Sequence, residues 1–123
     1  MSPTVNAKQE FHEPLTPAMF HVLLALAGED LHGYAILKEV QLRTGGKVRL
    51  STGTLYGIIK RLLNDGLITE LRAKPGETSE DERRRYYRLT ASGRELASAE
   101  AQRLDEVLSI ARSRKLLNRP RTA

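Results

Sequence analysis

The sequence lacks cysteine and tryptophan and has few other aromatic residues, with 0 Cys, 0 Trp, 2 Phe and 4 Tyr among 123 residues. Without cysteine the chain can form neither disulfide bonds nor a thiolate metal site. This suits a reducing compartment, so we expect a cytoplasmic protein. The three histidines, His12, His21 and His32, are not at metal-ligand spacing. We therefore expect no metal and no other cofactor.

Long hydrophobic runs are also missing. The longest apolar run, 22–27, is far too short to span a bilayer, so no membrane association is expected. Residues 1–14 are polar and include Glu10 and Glu13, which fits a flexible arm rather than a targeting signal. No glycine-rich phosphate loop, Ser-His-Asp arrangement or pair of catalytic carboxylates is recognisable. These absences argue against an enzyme.

Acidic residues are absent from two segments, 40–64 and 107–123, although the chain carries 15 Asp and Glu against 20 Lys and Arg, a net charge of +5. Each segment contains five cations, so the remainder of the chain carries a net negative charge. Segregation of this kind is typical of a nucleic-acid-binding protein. The alternative is a basic solvated helix followed by a basic disordered tail.

The first acid-free segment contains the pattern of a short amphipathic helix. Ser51 is a suitable N-cap and Gly66 a suitable terminator. An apolar stripe at helical spacing predicts the buried face, comprising Leu55, Ile58, Ile59 and Leu62. The opposite face combines hydroxyls, an aromatic ring, cations and glycines without a carboxylate, namely Thr52, Gly53, Tyr56, Gly57, Lys60 and Arg61. This second face predicts contact with a polyanion.

Two helices are predicted before this one, and two strands after it. The first helix begins at Thr16-Pro17 and ends at Gly28. The second begins near residues 32–34 and runs to Leu42, with a predicted buried set of Tyr34, Ile36, Leu37 and Val40. Strands are predicted over 67–72 and 85–89, separated by an acidic loop.

A final helix is predicted from Thr90 to about Leu117, capped by Thr90, or by Ser92 in a capping box with Glu95. Its apolar stripe comprises Leu96, Ala97, Ala101, Leu104, Val107, Leu108 and Ala111. A chain of this length has little surface with which to cover so long a stripe. We therefore expect a second copy to cover it; the alternative is that it folds back on the first helix.

These elements predict a mainly α fold with a small β-hairpin, a winged helix–turn–helix domain followed by a long C-terminal dimerisation helix. The predicted division is a flexible arm at 1–14, the winged domain at 15–90, the dimerisation helix at 91–117 and a basic tail at 118–123.

Several short motifs also occur in order along the chain. They are Leu15-Thr16-Pro17, His32-Gly33-Tyr34, Gly53-Thr54-Leu55-Tyr56, Asn64-Asp65-Gly66-Leu67-Ile68, and Tyr86-Tyr87-Arg88-Leu89-Thr90 followed by Gly93. Through these motifs the chain resembles PadR-type transcriptional regulators of the shorter kind, with a single C-terminal helix. It departs from them at Thr52, where proline is usual, and in an acidic wing tip at Glu77, Glu80, Asp81 and Glu82.

The resemblance implies a homodimeric, ligand-responsive repressor whose third helix enters the major groove of double-stranded DNA at a pseudo-palindromic operator. The candidate DNA contacts are Lys47, Ser51, Thr52, Gly53, Thr54, Tyr56, Lys60, Arg61, Arg83 and Arg84. Ser51 has the alternative role of a cap, and Tyr56 that of packing against the second helix. Arg83 and Arg84 could instead neutralise the acidic loop.

The resemblance also implies a small-molecule inducer held between the two halves of the dimer. Without tryptophan, Phe20 and Tyr34 are the remaining aromatic candidates for such a site. The main alternative function is a winged-helix protein-interaction module without specific DNA binding. A third possibility is a ligand-binding protein in which DNA contact is residual.

Overall fold

The fold is organised around its first helix. The structure is a computed structural model that describes residues 15–71 and 85–118. The elements in chain order are α1 (Pro17–Gly28), β1 (Leu31–His32), α2 (Gly33–Arg43), α3 (Thr52–Asn64), β2 (Ile68–Leu71), β3 (Tyr86–Leu89) and α4 (Ala91–Ser113). Helix α1 packs against α2, α4 and β3. Its Val22, Leu23 and Ala25 are completely buried, so this helix lies at the centre of the domain.

Each helix begins at a side-chain cap. Thr16 Oγ1 accepts the Met19 N–H at 3.1 Å, and Ser51 Oγ accepts the Thr54 N–H at 3.1 Å. His32 Nδ1 accepts the Ala35 N–H at 3.2 Å, and Thr90 Oγ1 accepts the Gly93 N–H at 3.0 Å. Of the two predicted caps of α4, Thr90 is therefore the one used. Ser92 lies inside the first helical turn, so the capping box does not form.

The strands form an antiparallel sheet in the order β1-β3-β2. The predicted hairpin between β2 and β3 is confirmed, with Ile68 opposite Leu89 and Leu71 opposite Tyr86. Strand β1, which places Leu31 opposite Tyr87, is an addition to the prediction. A strand of two residues has no alternating pattern that a sequence could reveal.

A single core joins the helices to the sheet. Its buried apolar side chains come from α1, α2, α3, the sheet and the start of α4. Within α2 the prediction was right for Ile36 and Val40, which are fully buried, and wrong for Tyr34, which is 62% exposed. Tyr34 and Ile36 are two positions apart, about 200° around a helix, so they point in nearly opposite directions.

Helix α4 is anchored at its start and projects from the domain beyond it. Ala97 is in the core and Leu96 packs against it, whereas Val107 and Leu108 are exposed. The helix ends at Ser113, short of the predicted Leu117, because Lys115 adopts a left-handed conformation with φ 63°. The Leu116 N–H then bonds to the Ala111 carbonyl at 2.9 Å, which closes the C-terminus. None of the helices in the described ranges is long and apolar enough to cross a membrane.

Candidate nucleic-acid interface

Helix α3 has a buried face and an exposed face of different chemistry, as the sequence predicted. Leu55, Ile59 and Leu62 are buried in the core, and Ile58 is half-buried beside them. The exposed face, which we call the α3 face, comprises Thr52, Gly53, Tyr56, Gly57 and Lys60. The structure thus brings together on one surface five of the six residues that the sequence assigned to this face, whereas the sixth, Arg61, is half-buried.

The N-terminus of α3 is held by a pair of hydroxyls. Ser51 Oγ accepts the Thr54 N–H and lies 2.9 Å from Thr54 Oγ1. This confirms the capping role of Ser51. Ser51, Thr52 and Thr54 are all exposed, so their hydroxyls surround the positive end of the helix dipole. Such an end suits phosphate oxygens.

The two glycines of the α3 face are not required by the fold. A Cβ at Gly53 or at Gly57 would meet nothing within 4 Å, and neither glycine has a positive φ. A glycine in a helix costs about 1 kcal/mol relative to alanine. The two glycines therefore lower the stability of α3 without allowing any closer packing within the domain. A flat helix surface is what the close approach of another molecule needs.

Tyr56 has a second role within the domain. A Cβ at Gly33 would lie 2.4 Å from the Tyr56 hydroxyl oxygen, so the ring packs directly over the start of α2. This is the alternative that the sequence left open. The side chain is nevertheless 47% exposed, so part of it remains on the α3 face.

The cations around the α3 face differ in exposure and in their contacts. Lys47 and Lys60 are exposed, whereas Arg61 lies 3.9 Å from Asp65 in an i,i+4 ion pair. Arg49 is exposed, two positions before Ser51, and was not among the predicted contacts. Its place in the acid-free segment was the signal that could have identified it. Arg83 and Arg84 lie outside the described residues.

Arg43, the remaining cation of the segment, is used inside the domain. It forms an ion pair with Glu39, and its Nη2 donates to the His21 carbonyl at 2.9 Å. The same nitrogen lies 3.4 Å from His21 Nδ1. Burial, together with the positive charge of Arg43, lowers the pKa of His21. Arg43 therefore connects α2 to α1. Its guanidinium group is engaged in contacts within the domain and is a weaker candidate than Lys60 for contact with a polyanion.

The apolar stripe predicted along the final helix, which we call the α4 stripe, lies partly in the chain's own core and partly in solvent. Ala97 is only 7% exposed, and Leu96 is partly buried, so the first two residues pack on their own domain. Ala101, Val107 and Leu108 are exposed, while Leu104 and Ala111 are half-buried. Ile110, 56% exposed, extends the apolar surface. An apolar surface therefore remains uncovered along the second half of α4.

An open groove of about 770 Å³ follows the outer side of α2 between Tyr34 and Leu42, and Lys38 Nζ lies 5.5 Å from the centre of the Tyr34 ring. Phe20, the other aromatic candidate, packs against the core. Within the described ranges, no group of three or more metal-binding side chains is placed to hold an ion.

Comparison with known proteins identifies the family. A model of the transcriptional regulator PadR-like family matches residues 22–99. The transcriptional regulator Rv3488 of Mycobacterium tuberculosis is 35% identical over 88 residues, which are 71% of this chain and 75% of that protein. Uncharacterized protein X of Lysinibacillus sphaericus is 30% identical over 89 residues, 72% of this chain and 79% of that one.

Solved structures agree with this assignment at the level of the fold. A PadR family transcription regulator from Clostridium difficile R20291 matches with a TM-score of 0.67 and 24% identity, over 80% of this chain and 97% of that one. A transcriptional regulator from Clostridium thermocellum matches with a TM-score of 0.65 and 20% identity, over 92% and 95% of the two chains. The winged helix–turn–helix with a C-terminal helix is thus confirmed, and the chain belongs to the PadR-like family of DNA-binding transcriptional regulators, which are not enzymes.

Proposed function

We propose that the protein is a homodimeric repressor that places the α3 face of each subunit in the major groove of a pseudo-palindromic operator. The observation that carries this proposal is the composition of the α3 face. It is exposed, contains Lys60 and two glycines that the fold does not require, and lies in a segment without acidic residues. A helix of these properties can approach DNA closely without repelling its phosphates.

Contacts with the phosphate backbone would come from the flanks of α3. Lys47 and Arg49 precede the helix and are exposed, and the hydroxyls of Thr52 and Thr54 lie at its N-terminus. Arg61 would contribute more weakly, because Asp65 shares its charge. Phosphate contacts of this kind fix the register of a protein on DNA, whereas residues further along the helix read the bases.

Dimerisation would use the exposed part of the α4 stripe. Val107 and Leu108 are 48% and 43% exposed, and Leu104 and Ala111, one turn before and one turn after them, lie on the same side of the helix. Surfaces of this kind mark interaction sites in soluble proteins. The same patch on a second copy is the simplest complement, because a two-fold axis brings identical surfaces together. The two-fold axis would also match a palindromic operator.

Regulation by a small molecule would act through the angle between the two subunits. A ligand held between the dimer halves can change operator affinity only if it binds two dimer geometries with different affinity. The changed angle would alter the distance between the two α3 helices and hence their fit to the half-sites. A ligand that binds tightly and leaves operator affinity unchanged would argue against this mechanism.

Selection of genomic fragments by the purified protein tests the DNA-binding part of the proposal. A shared palindromic sequence among the retained fragments is expected, and the best fragment should then be titrated against salt. If the dimer neutralises six to ten phosphates, the logarithmic slope of affinity against salt is roughly −5 to −9.

Two lysine variants supply the matched control. Lys60→Ala should weaken binding to the selected fragment, whereas Lys38→Ala, which removes the same charge from an exposed site on α2, should change it little. Retention of fragments without a shared sequence would show that only the charge argument holds. A winged-helix protein-interaction module would then be the better description.

A further inference from the structure

The C-terminus of α3 and the N-terminus of α4 are joined by direct backbone contacts, although the sheet separates them in the chain. We infer that Thr90 and Gly93 are positioning residues that hold the recognition helix at one fixed angle to the dimerisation helix. The inference rests on the proposed function, because it assumes that α3 reads DNA and α4 forms the dimer. It also gives a role to two of the family motifs, Gly66-Leu67 and Thr90 with Gly93. These residues do not lie on the α3 face, so DNA contact by that face does not account for them.

The contact is made first by hydrogen bonds. Thr90 Oγ1 donates to the Gly66 carbonyl at 2.7 Å, and the Thr90 N–H donates to the Leu67 carbonyl at 3.1 Å. Thr90 Oγ1 also accepts the Gly93 N–H, so one hydroxyl both caps α4 and connects it to the end of α3. A hydroxyl can do both because it is at once a donor and an acceptor.

Steric contact then fixes the separation. A Cβ at Gly93 would lie 2.0 Å from the Leu67 carbonyl oxygen and 2.9 Å from the Leu67 carbonyl carbon. Gly93 is buried, and these two Leu67 atoms belong to backbone that cannot rotate away. Only glycine allows α4 to lie this close to the Leu67 peptide.

The α3 side of the joint is itself rigid. Gly66 takes a left-handed conformation with φ 72°, and the Leu67 N–H returns to the Leu62 carbonyl at 2.9 Å. This closed end is the Schellman arrangement of a helix C-terminus. Leu67 is therefore fixed to the last turn of α3 through its N–H and to Thr90 through its carbonyl. A rotation of α4 relative to the domain must either carry α3 with it or break these bonds.

Two substitutions separate this positioning role from ordinary capping. Thr90→Asp keeps an acceptor for the Gly93 N–H, because aspartate is a good N-cap, but an ionised carboxylate cannot donate to the Gly66 carbonyl. Thr90→Ser keeps both functions. Ser92→Asp adds the same charge two residues later, at an exposed position of the first turn. For Gly93→Ala the control is Gly28→Ala, where a Cβ would meet nothing within 4 Å.

The angle between the helices can be measured directly, because the natural chain has 0 Cys and accepts a specific pair of spin labels. Labels at Asn64→Cys and Gln102→Cys, both exposed, report the distance from α3 to α4 by pulsed electron paramagnetic resonance. Dilution with unlabelled protein isolates the distance within one chain. Operator affinity and oligomeric state are measured on the same variants without labels.

Thr90→Asp and Gly93→Ala should broaden or shift the distance distribution and lower operator affinity by about tenfold, a factor of the order that one hydrogen bond supplies. The dimer should persist. Thr90→Ser, Ser92→Asp and Gly28→Ala should match the wild type in distance and affinity. If Gly93→Ala does not fold, the distance distributions and operator affinities of Thr90→Asp and Thr90→Ser are sufficient to test the inference.

An unchanged distance distribution in Thr90→Asp would overturn the inference, and so would a changed distribution with wild-type operator affinity. The distance measurement needs no DNA. Failure of the wild-type protein to select an operator would therefore refute the proposed function, and the two failures are distinguishable.

Discussion

The Tyr56 ring rests on Gly33, and a methyl group at Gly33 would lie 2.4 Å from the tyrosine oxygen and 2.9 Å from the carbon that bears it. The contact joins α3 to the start of α2. It explains why a glycine follows the His32 cap and why a tyrosine of the α3 face is only partly exposed. Tyr56 and Gly33 thus form a close contact between the two helices of the helix–turn–helix.

Gly33→Ala should therefore destabilise the domain by about 1 kcal/mol, the lower end of the cost of overpacking, because the Tyr56 ring must move. The free energy of unfolding in urea gives the measurement. In a Tyr56→Ala background the same substitution should be neutral or stabilising, since the obstruction is gone and alanine is the better helix former. If Gly33→Ala lowers the free energy of unfolding equally in the two backgrounds, the contact between Tyr56 and Gly33 does not contribute to stability.

Gly57→Ala should affect stability and DNA binding in opposite directions. Nothing within the chain obstructs a Cβ at Gly57, so the helix should gain about 0.5–1 kcal/mol of stability. Operator affinity should fall, because the added methyl group stands on the surface proposed to enter the major groove. Urea unfolding and a binding titration check the two effects. A stabilised variant with unchanged operator affinity would place the DNA contact elsewhere.

Charges placed on the exposed α4 stripe should separate the subunits. Leu104→Glu combined with Leu108→Glu puts two carboxylates on the surface proposed to be covered, so sedimentation should show a monomer that binds operator weakly. Ser98→Glu combined with Gln102→Glu adds the same charge on another side of α4 and should leave the dimer intact. A dimer that survives the leucine substitutions would move the interface to a different surface.

Acid should destabilise the domain in part through His21. Its pKa is lowered from 6.5 by burial and then by the charge of Arg43, so the unfolded chain binds the proton more readily than the folded one. The corresponding stability is present above pH 6.5 and is lost as the pH falls through the lowered folded-state pKa. NMR titration of the imidazole, assigned with His21→Asn, should show the lowered value.

Arg43→Gln should raise the pKa of His21 toward its ordinary value without restoring it, because burial is the larger cause. The loss of folding stability at acid pH should therefore be smaller in Arg43→Gln than in the wild type. Lys38→Gln, an exposed cation on the same helix, is the control and should leave the titration unchanged. An identical His21 titration in both variants would mean that Arg43 exerts no electrostatic effect there.

Local interactions explain why much of the fold was predictable. The caps at Thr16, Ser51 and Thr90 each bond to an N–H three residues later, and Gly66 ends α3 through contacts within its own last turn. Such features depend only on neighbouring residues, so residue type and spacing reveal them. The amphipathic pattern of α3 likewise separated its core face from its exposed face.

Arrangements that join distant segments were not predictable in the same way. Strand β1 exists only because β3 pairs with it, and Arg88 reaches Asp30 across 58 positions, at 2.8 Å. The sequence marked Gly33 and Gly93 as family motifs, but their reasons lie in Tyr56 and in the Leu67 carbonyl, which approach them only after folding.

The amino-acid sequence by itself therefore determined the helices, the charge of the α3 face and the family. The tertiary structure decided which of those residues also hold the domain together. Tyr56 packs on Gly33, Ala97 enters the core, and Arg43 bonds to the His21 carbonyl. The physical reason is that helix spacing fixes the face on which a side chain lies, whereas its neighbours on that face come from other elements, whose positions depend on the packing of the whole domain.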